Sequence, residues 1–138
     1  MNIFEKIENI VEQTLQEMPF WYENENLPPL KIKLESPRDK RHGDLSSNIA
    51  MILAKTIGKK PKDFAAEICC SLVGAELIQS ATVAGPGFIN LKLKADVWFE
   101  CVKCILQLGK DFGSSDFGKN EFINIEYVSA NPTGPLHA

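Results

Sequence analysis

The chain has 138 residues, 44% of them apolar and 24% charged, with a formal net charge of −3. That composition fits one compact domain, or one domain plus a fragment of another, able to bury a core without disulfides or metals. The sequence holds no run of about 18 uncharged apolar residues to span a membrane; Met1-Asn2-Ile3-Phe4-Glu5-Lys6 lacks the basic flank and apolar stretch of a secretory signal, so the expected location is the cytoplasm.

Ile3, Ile7, Ile10, Val11, Leu15 and Met18 recur at the spacing of one helical face, which predicts a helix over 2–18. Asn2 is its expected cap with Glu5 as the capping-box partner, and Pro19 ends it before a loop through Pro28-Pro29. Leu30 to Glu35 alternates apolar and charged residues, a half-buried strand. Ser36 to Asp44 reads as a loop closed by Gly43. A helix follows over about 46–57, with Ile49, Ile52 and Leu53 inward and Gly58 as its stop. Pro61 suits the first turn of another helix, with Phe64, Ala65, Ile68, Cys69 and Leu72 inward and an end between Gly74 and Gln79.

The stretch Thr82 to Leu93 carries Gly85-Pro86-Gly87 between two alternating runs, which signals a tight bend or hairpin. After the bend, Ile89, Leu91 and Leu93 share one face of a strand, and Phe88, Asn90 and Lys92 share the other. Asp96 is the expected cap of a helix to Leu108, stopped by Gly109. Lys110 to Asn120 reads as a linker. Phe122 to Val128 is apolar on both faces apart from Asn124 and Glu126, as in the interior of a parallel sheet. The expected fold class is α+β: a two-layer antiparallel sheet of about four strands with helices packed on one face. The expected division is a domain over 1–110, a linker over 111–120, and the first strand of a second domain over 121–138.

Two basic clusters, Arg38-Asp39-Lys40-Arg41-His42 and Lys59-Lys60-Pro61-Lys62, sit in an acidic chain. Counterion release supplies most of the affinity of free-standing nucleic-acid binders, so any RNA contact here is expected to be weak in isolation. Of the four cysteines, Cys101 and Cys104 form a C-x-x-C, the spacing of a redox pair or half a zinc site. No second pair completes such a site, and both fall in the helical pattern of Val97, Ile105 and Leu108, so the thiols read as small core residues and no metal is expected. Cys69 and Cys70 are adjacent and point to different sides of their helix. His42 reads as a structural member of its loop, since no nucleophile or second catalytic group accompanies it. Glu126, Ser129, Asn131 and His137 fall in or just after a strand end, where open parallel sheets bind ligands. On the pattern alone, a strand, a turn and surface polar residues are the favoured reading.

The run Ser129-Ala130-Asn131-Pro132-Thr133-Gly134-Pro135-Leu136-His137-Ala138 resembles the opening of the "HIGH" signature of class I aminoacyl-tRNA synthetases, specifically the arginyl family, with His137 matching the first histidine. His42-Gly43-Asp44-Leu45-Ser46-Ser47-Asn48-Ile49-Ala50, Val83-Ala84-Gly85-Pro86-Gly87-Phe88-Ile89-Asn90 and Asp111-Phe112-Gly113-Ser114-Ser115-Asp116 resemble three further landmarks of that family, in the same order. The resemblance implies an N-terminal additional domain that meets the corner of arginine tRNA and reads its D-loop. Phe88 and Asn90 match the aromatic residue and amide that hold the base at position 20, usually adenine; Lys92, with Lys31 and Lys33, would neutralise nearby phosphates. It also implies that residues 121–138 open a Rossmann-like catalytic domain of a ligase that uses ATP with Mg2+ to join arginine to its tRNA. There Glu126, Ser129 and Asn131 would line the arginine pocket, and His137 would contact the ATP phosphates in an electrostatic role. The second histidine of the signature is not in this chain, so no catalysis is expected of it alone. A monomer with no membrane partner is expected. The rival readings are a stand-alone interaction module and a thiol redox or zinc protein.

Overall fold

A computed structural model of the protein describes residues 3–24, 27–37, 39–116, 118–119 and 121–127. The first helix, α1 (Ile3–Glu17), lines up Ile3, Ile7, Val11 and Leu15 as its buried residues, the four-residue spacing that stacks side chains on one face. Asn2, its expected cap, lies outside the described residues. Where a loop was expected after Pro19, the chain forms a short second helix, α2 (Pro19–Glu23), with proline at its start. A first-turn proline forfeits no intrahelical hydrogen bond, so it begins a helix as readily as it ends one. Phe20 from this turn meets Phe64 edge to face, with centroids 5.0 Å apart and planes at 85°, a favoured aromatic geometry.

Four strands follow: β1 (Leu34–Glu35), β2 (Leu45–Ser47), β3 (Ile78–Ala84) and β4 (Phe88–Leu93). They form one antiparallel sheet in the order β1-β2-β4-β3, which bears out the expected α+β class. The strand expected over Leu30 to Glu35 shrinks to its last two residues because its ladder to β2, the only one among the described residues, holds two residue pairs. The alternation still holds: Lys31, Lys33 and Glu35 are exposed, Leu30 and Ile32 pack partly on the core, and Leu34 is buried. Strand β2 occupies residues that read as the end of a loop and the start of a helix. Its three residues are held by pairing on both sides, to Leu34 and Glu35 and to Ile89, Asn90 and Leu91, a tertiary effect that local propensity does not record. Helix α3 (Ile49–Thr56) therefore begins three residues late, and Ser47 Oγ accepts its first N–H, from Ile49, at 3.3 Å. Its inner face is Ile49, Ala50, Leu53 and Ala54, which leaves Ile52 outward, contrary to expectation.

Helix α4 (Pro61–Ser71) starts at its proline and buries Phe64, Ala65, Ile68 and Cys69 as expected, with Leu72 buried just beyond. Helices α3 and α4 pack on β4, α4 also on β3, and α1 on α4. The core lies between these helices and one face of the sheet, where Ile89, Leu91 and Leu93 are buried.

Helix α5 (Ala95–Leu108) is capped by Lys94 without a side-chain bond; Asp96, the expected cap, sits in the first turn, where its charge suits the helix dipole. Val97 is its one buried residue among those described. Phe99 is 71% and Leu106 78% exposed, and Ile105 and Leu108 are open as well. Cys101 and Cys104 are therefore half-buried rather than core residues. Residues 121–127 form no strand: Phe122, Ile123, Ile125 and Tyr127 are exposed, and the segment has no ladder partner among the described residues. A sheet-interior strand is stabilised by neighbours on both sides, and here it has neither.

Phe64→Ala is expected to cost about 3–5 kcal/mol, because it empties a fully packed site. Phe99→Ser should change stability by less than about 0.5 kcal/mol. Urea titration of both variants, followed by far-UV circular dichroism, measures the contrast.

Candidate functional site

The outer face of the sheet is built from the residues that alternate away from the core. Register places Glu35, Ser46, Asn90 and Thr82 in one row across all four strands. Lys92 faces Ser80 in the next row, and Phe88 faces Ala84 on the other side. Phe88, Asn90 and Lys92 thus share a face as the sequence predicts, and among the described residues the helices pack on the other face. Phe88 keeps 39% of its surface exposed, whereas Asn90 is only 6% exposed. Its row neighbours on the sheet are Ser46 and Thr82. Among the described residues its side chain makes no hydrogen bond, and its polar atoms are not sealed from solvent. An amide this enclosed normally finds partners inside the protein.

Two grooves meet at this residue. The first, about 390 Å³, is lined by Phe88, Asn90, Ser46, Asn48, His42 and the exposed Lys33–Glu35 pair among others. The second, about 470 Å³, runs between Arg41, His42 and Gly43 on one side and Ser80, Thr82 and Lys92 on the other, again with Asn90. His42, read from the sequence as a structural member of its loop, lines both grooves in the structure. Asn48 and Thr82 were not singled out from the sequence either. Thr82 becomes a site neighbour only through the hairpin register.

The loop that carries His42 is fastened to β4. Asp39 caps the 3-10 turn at Lys40–His42 by accepting from the Arg41 backbone N–H at 2.9 Å, and its carboxylate also accepts from the Arg41 guanidinium. The guanidinium contacts, then the backbone bond, hold Asp39 below the usual carboxylate range. Next, the Asp44 N–H donates to the Leu91 carbonyl at 2.8 Å, and Asp44 Oδ2 accepts from the Leu93 N–H at 2.8 Å. Gly43 allows this approach: with φ of 105°, a Cβ there would stand 2.6 Å from the Leu91 oxygen. Lys92 Nζ lies 3.3 Å from Asp44 Oδ1, with the lysine side chain half-exposed and the carboxylate mostly buried. Lys33 and Glu35 pair at 2.6 Å, and the Lys33 hydrogen bond lowers the Glu35 pKa.

Glu126 is exposed, within the segment that forms no strand. Ser129, Asn131 and His137 lie outside the described residues. Among the described residues no three His, Cys, Asp or Glu side chains gather as a metal would require, and no helix is long and apolar enough to cross a membrane. The four cysteines are unpaired, with Cys69 buried and Cys70 exposed. Burial, then the neighbouring Cys70, pushes the Cys69 thiol up to about 11.

The architecture is a two-layer α+β domain with its grooves on the sheet face that the helices leave open. Residues 5–93 match the arginyl tRNA synthetase N terminal domain family. The arginine–tRNA ligases of Parvibaculum lavamentivorans and Brucella ovis are 45% and 44% identical to the chain over 99% of its length. The chain spans about a quarter (24%) of the length of these curated relatives. Among solved structures, Thermus thermophilus arginyl-tRNA synthetase shares the fold at a TM-score of 0.55 and 23% identity, over 72% of this chain and 15% of that one. Plasmodium falciparum arginyl-tRNA synthetase does so at 0.54 and 17% identity, over 68% of this chain and 16% of that one. The chain belongs to the arginyl-tRNA synthetase N-terminal domain family.

Asp44→Ala is expected to destabilise the fold by about 1–3 kcal/mol, since it strips the partner from a half-buried N–H; Gly43→Ala adds backbone strain to a steric clash and should cost at least as much. Thermal unfolding of both variants measures this. A thiol reagent at neutral pH should label Cys70 in the folded protein and reach Cys69 only on unfolding, as read by peptide mass spectrometry.

Proposed function

We propose that the open sheet face recognises a single unstacked base of arginine tRNA, adenine at position 20 of the D-loop, and that Phe88 and Asn90 are its principal contacts. The observation that carries this reading is the pairing of a half-exposed aromatic ring with an enclosed, unpartnered amide in one groove. Unstacked bases are bound by stacking on aromatic rings and by hydrogen bonds to their Watson–Crick edges. An amide supplies both a donor and an acceptor, as the edge of adenine requires. Lys92 then neutralises a neighbouring phosphate. With a net charge of −3, the domain contributes specificity more than affinity and acts as one contact of a larger tRNA-binding surface.

In the whole ligase, this chain's share of the reaction is to position the tRNA. Residues 1–110 would form the RNA-contacting domain, 111–120 the linker, and 121–138 the entrance to the catalytic domain. Glu126, Ser129 and Asn131 would serve the arginine pocket and His137 the ATP phosphates, with Mg2+ accompanying ATP. Ser129, Asn131 and His137 lie outside the described residues, and no chemical step is assigned to this chain. The whole protein would act as a cytoplasmic monomer.

Titration of the chain with arginine tRNA transcripts carrying each base at position 20 tests the reading. Adenine should bind best, Phe88→Ala should weaken it by about 1–3 kcal/mol, and Asn90→Ala should flatten the preference among bases. Equal binding of all four transcripts, independent of Phe88, would overturn it.

A further inference from the structure

The two grooves differ in a way that base recognition alone does not use. The Phe88 groove is electrically balanced, its one lining cation, Lys33, being paired with Glu35 in the same groove. The second groove is lined by two cations, Arg41 and Lys92, and two hydroxyls, Ser80 and Thr82, with no acidic side chain in its lining. Asp39 and Asp44 are the ion-pair partners of those cations; the Lys92 contact is long, at 3.3 Å, and its side chain is half-exposed, so the ammonium can turn to a competing anion while Asp44 stays held by the Leu93 N–H. Asn90 borders both grooves, directly opposite Thr82, while Lys92 stands opposite Ser80. Two residues along a strand advance about 7 Å, so from Phe88 through Asn90 to Lys92 the face changes from aromatic to amide to cation. A nucleotide changes in the same sequence, from the π-face of its base to the polar base edge and sugar to the phosphate.

We infer that the second groove is a seat for the ribose-phosphate of the nucleotide adjoining the one whose base enters the Phe88 groove, with Thr82, Ser80 and Lys92 as its contacts and Arg41 at its rim. The inference rests on the base-recognition reading above and extends it from one base to a dinucleotide step. Hydroxyls and ammonium groups are the usual partners of phosphate and sugar oxygens, and such contacts fix register without reading sequence. The first groove offers a phosphate no unpaired cation, since Lys33 is held by Glu35; the second offers two cations and two hydroxyls, and its one ring, the His42 imidazole, is shared with the first. The site therefore has a direction along the RNA strand.

Amide NMR of the 15N-labelled chain, titrated first with adenosine and then with the dinucleotide ApA, tests this. Adenosine should shift Phe88 and Asn90. ApA should in addition shift Ser80, Thr82 and Lys92 and bind about ten-fold more tightly, as a hydrogen-bonded charge contact warrants. In a Thr82→Val/Lys92→Gln variant the ratio of the two affinities should fall to about one; both side chains face solvent, and the same spectra report whether the fold is kept. The inference is overturned if ApA leaves Ser80, Thr82 and Lys92 unmoved, if the variant keeps the gain, or if an uncharged methylphosphonate ApA retains it. Failure of both ligands to shift Phe88 and Asn90 would instead overturn base recognition itself, and this inference with it.

Discussion

Leu91 is where fold and site are tied together. Its side chain is fully buried in the core, and its carbonyl accepts the Asp44 N–H at 2.8 Å. Two residues on, the Leu93 N–H returns the contact to the Asp44 carboxylate. The loop from Asp39 to Asp44 is thereby fixed to the central strand by one bond in each direction, at a distance only glycine at position 43 permits. Everything on the outer face inherits its position from this attachment. His42 borders the grooves because its loop cannot lift away, and β2 aligns beside β4 because Asp44 immediately precedes it.

The hairpin supplies the other half of the frame. The Gly87 N–H donates to the Ala84 carbonyl at 3.2 Å to close the turn, and a Cβ on Gly87 would come within 3.0 Å of the Pro61 backbone. The turn thus rests against the start of α4, so the helical layer sets the height of the bend while the ladder sets its register. Phe88 is the first residue after that bend. The bend therefore sets where its side chain leaves the strand, at the mouth of the first groove.

The residues that made the sequence legible are those whose environment is local. Phe88 to Leu93 alternates strictly, so its two faces were readable, and Pro61 and Gly109 marked helix ends that the structure keeps. What stayed hidden depends on neighbours distant in sequence. Leu45 to Ser47 is a strand only because β1 and β4 flank it, and Thr82 joins the site only through its pairing with Asn90. The near-burial of Asn90 was equally invisible: alternation places it on the outer face but says nothing of the residues around it. Helix α5 shows the same limit from the other side. Its periodicity identifies a helix correctly, yet the pattern cannot say which surface its apolar face meets, and Phe99 and Leu106 stand open in the described structure.

Register couples stability to recognition. A strand's two faces exchange when pairing slips by one residue. A slip of β4 would therefore drive Asn90 and Lys92 into the core and expose Leu91 and Leu93. The cost of burying an unpaired amide and an ammonium makes that alternative severe, so the polar residues that form the grooves also enforce the register that builds the core. The outer face is in this sense part of the folding code as well as a binding surface. A groove polished for affinity by replacing Asn90 or Lys92 with apolar residues would weaken the distinction between the two faces, and with it the single alignment on which both the core and the site depend.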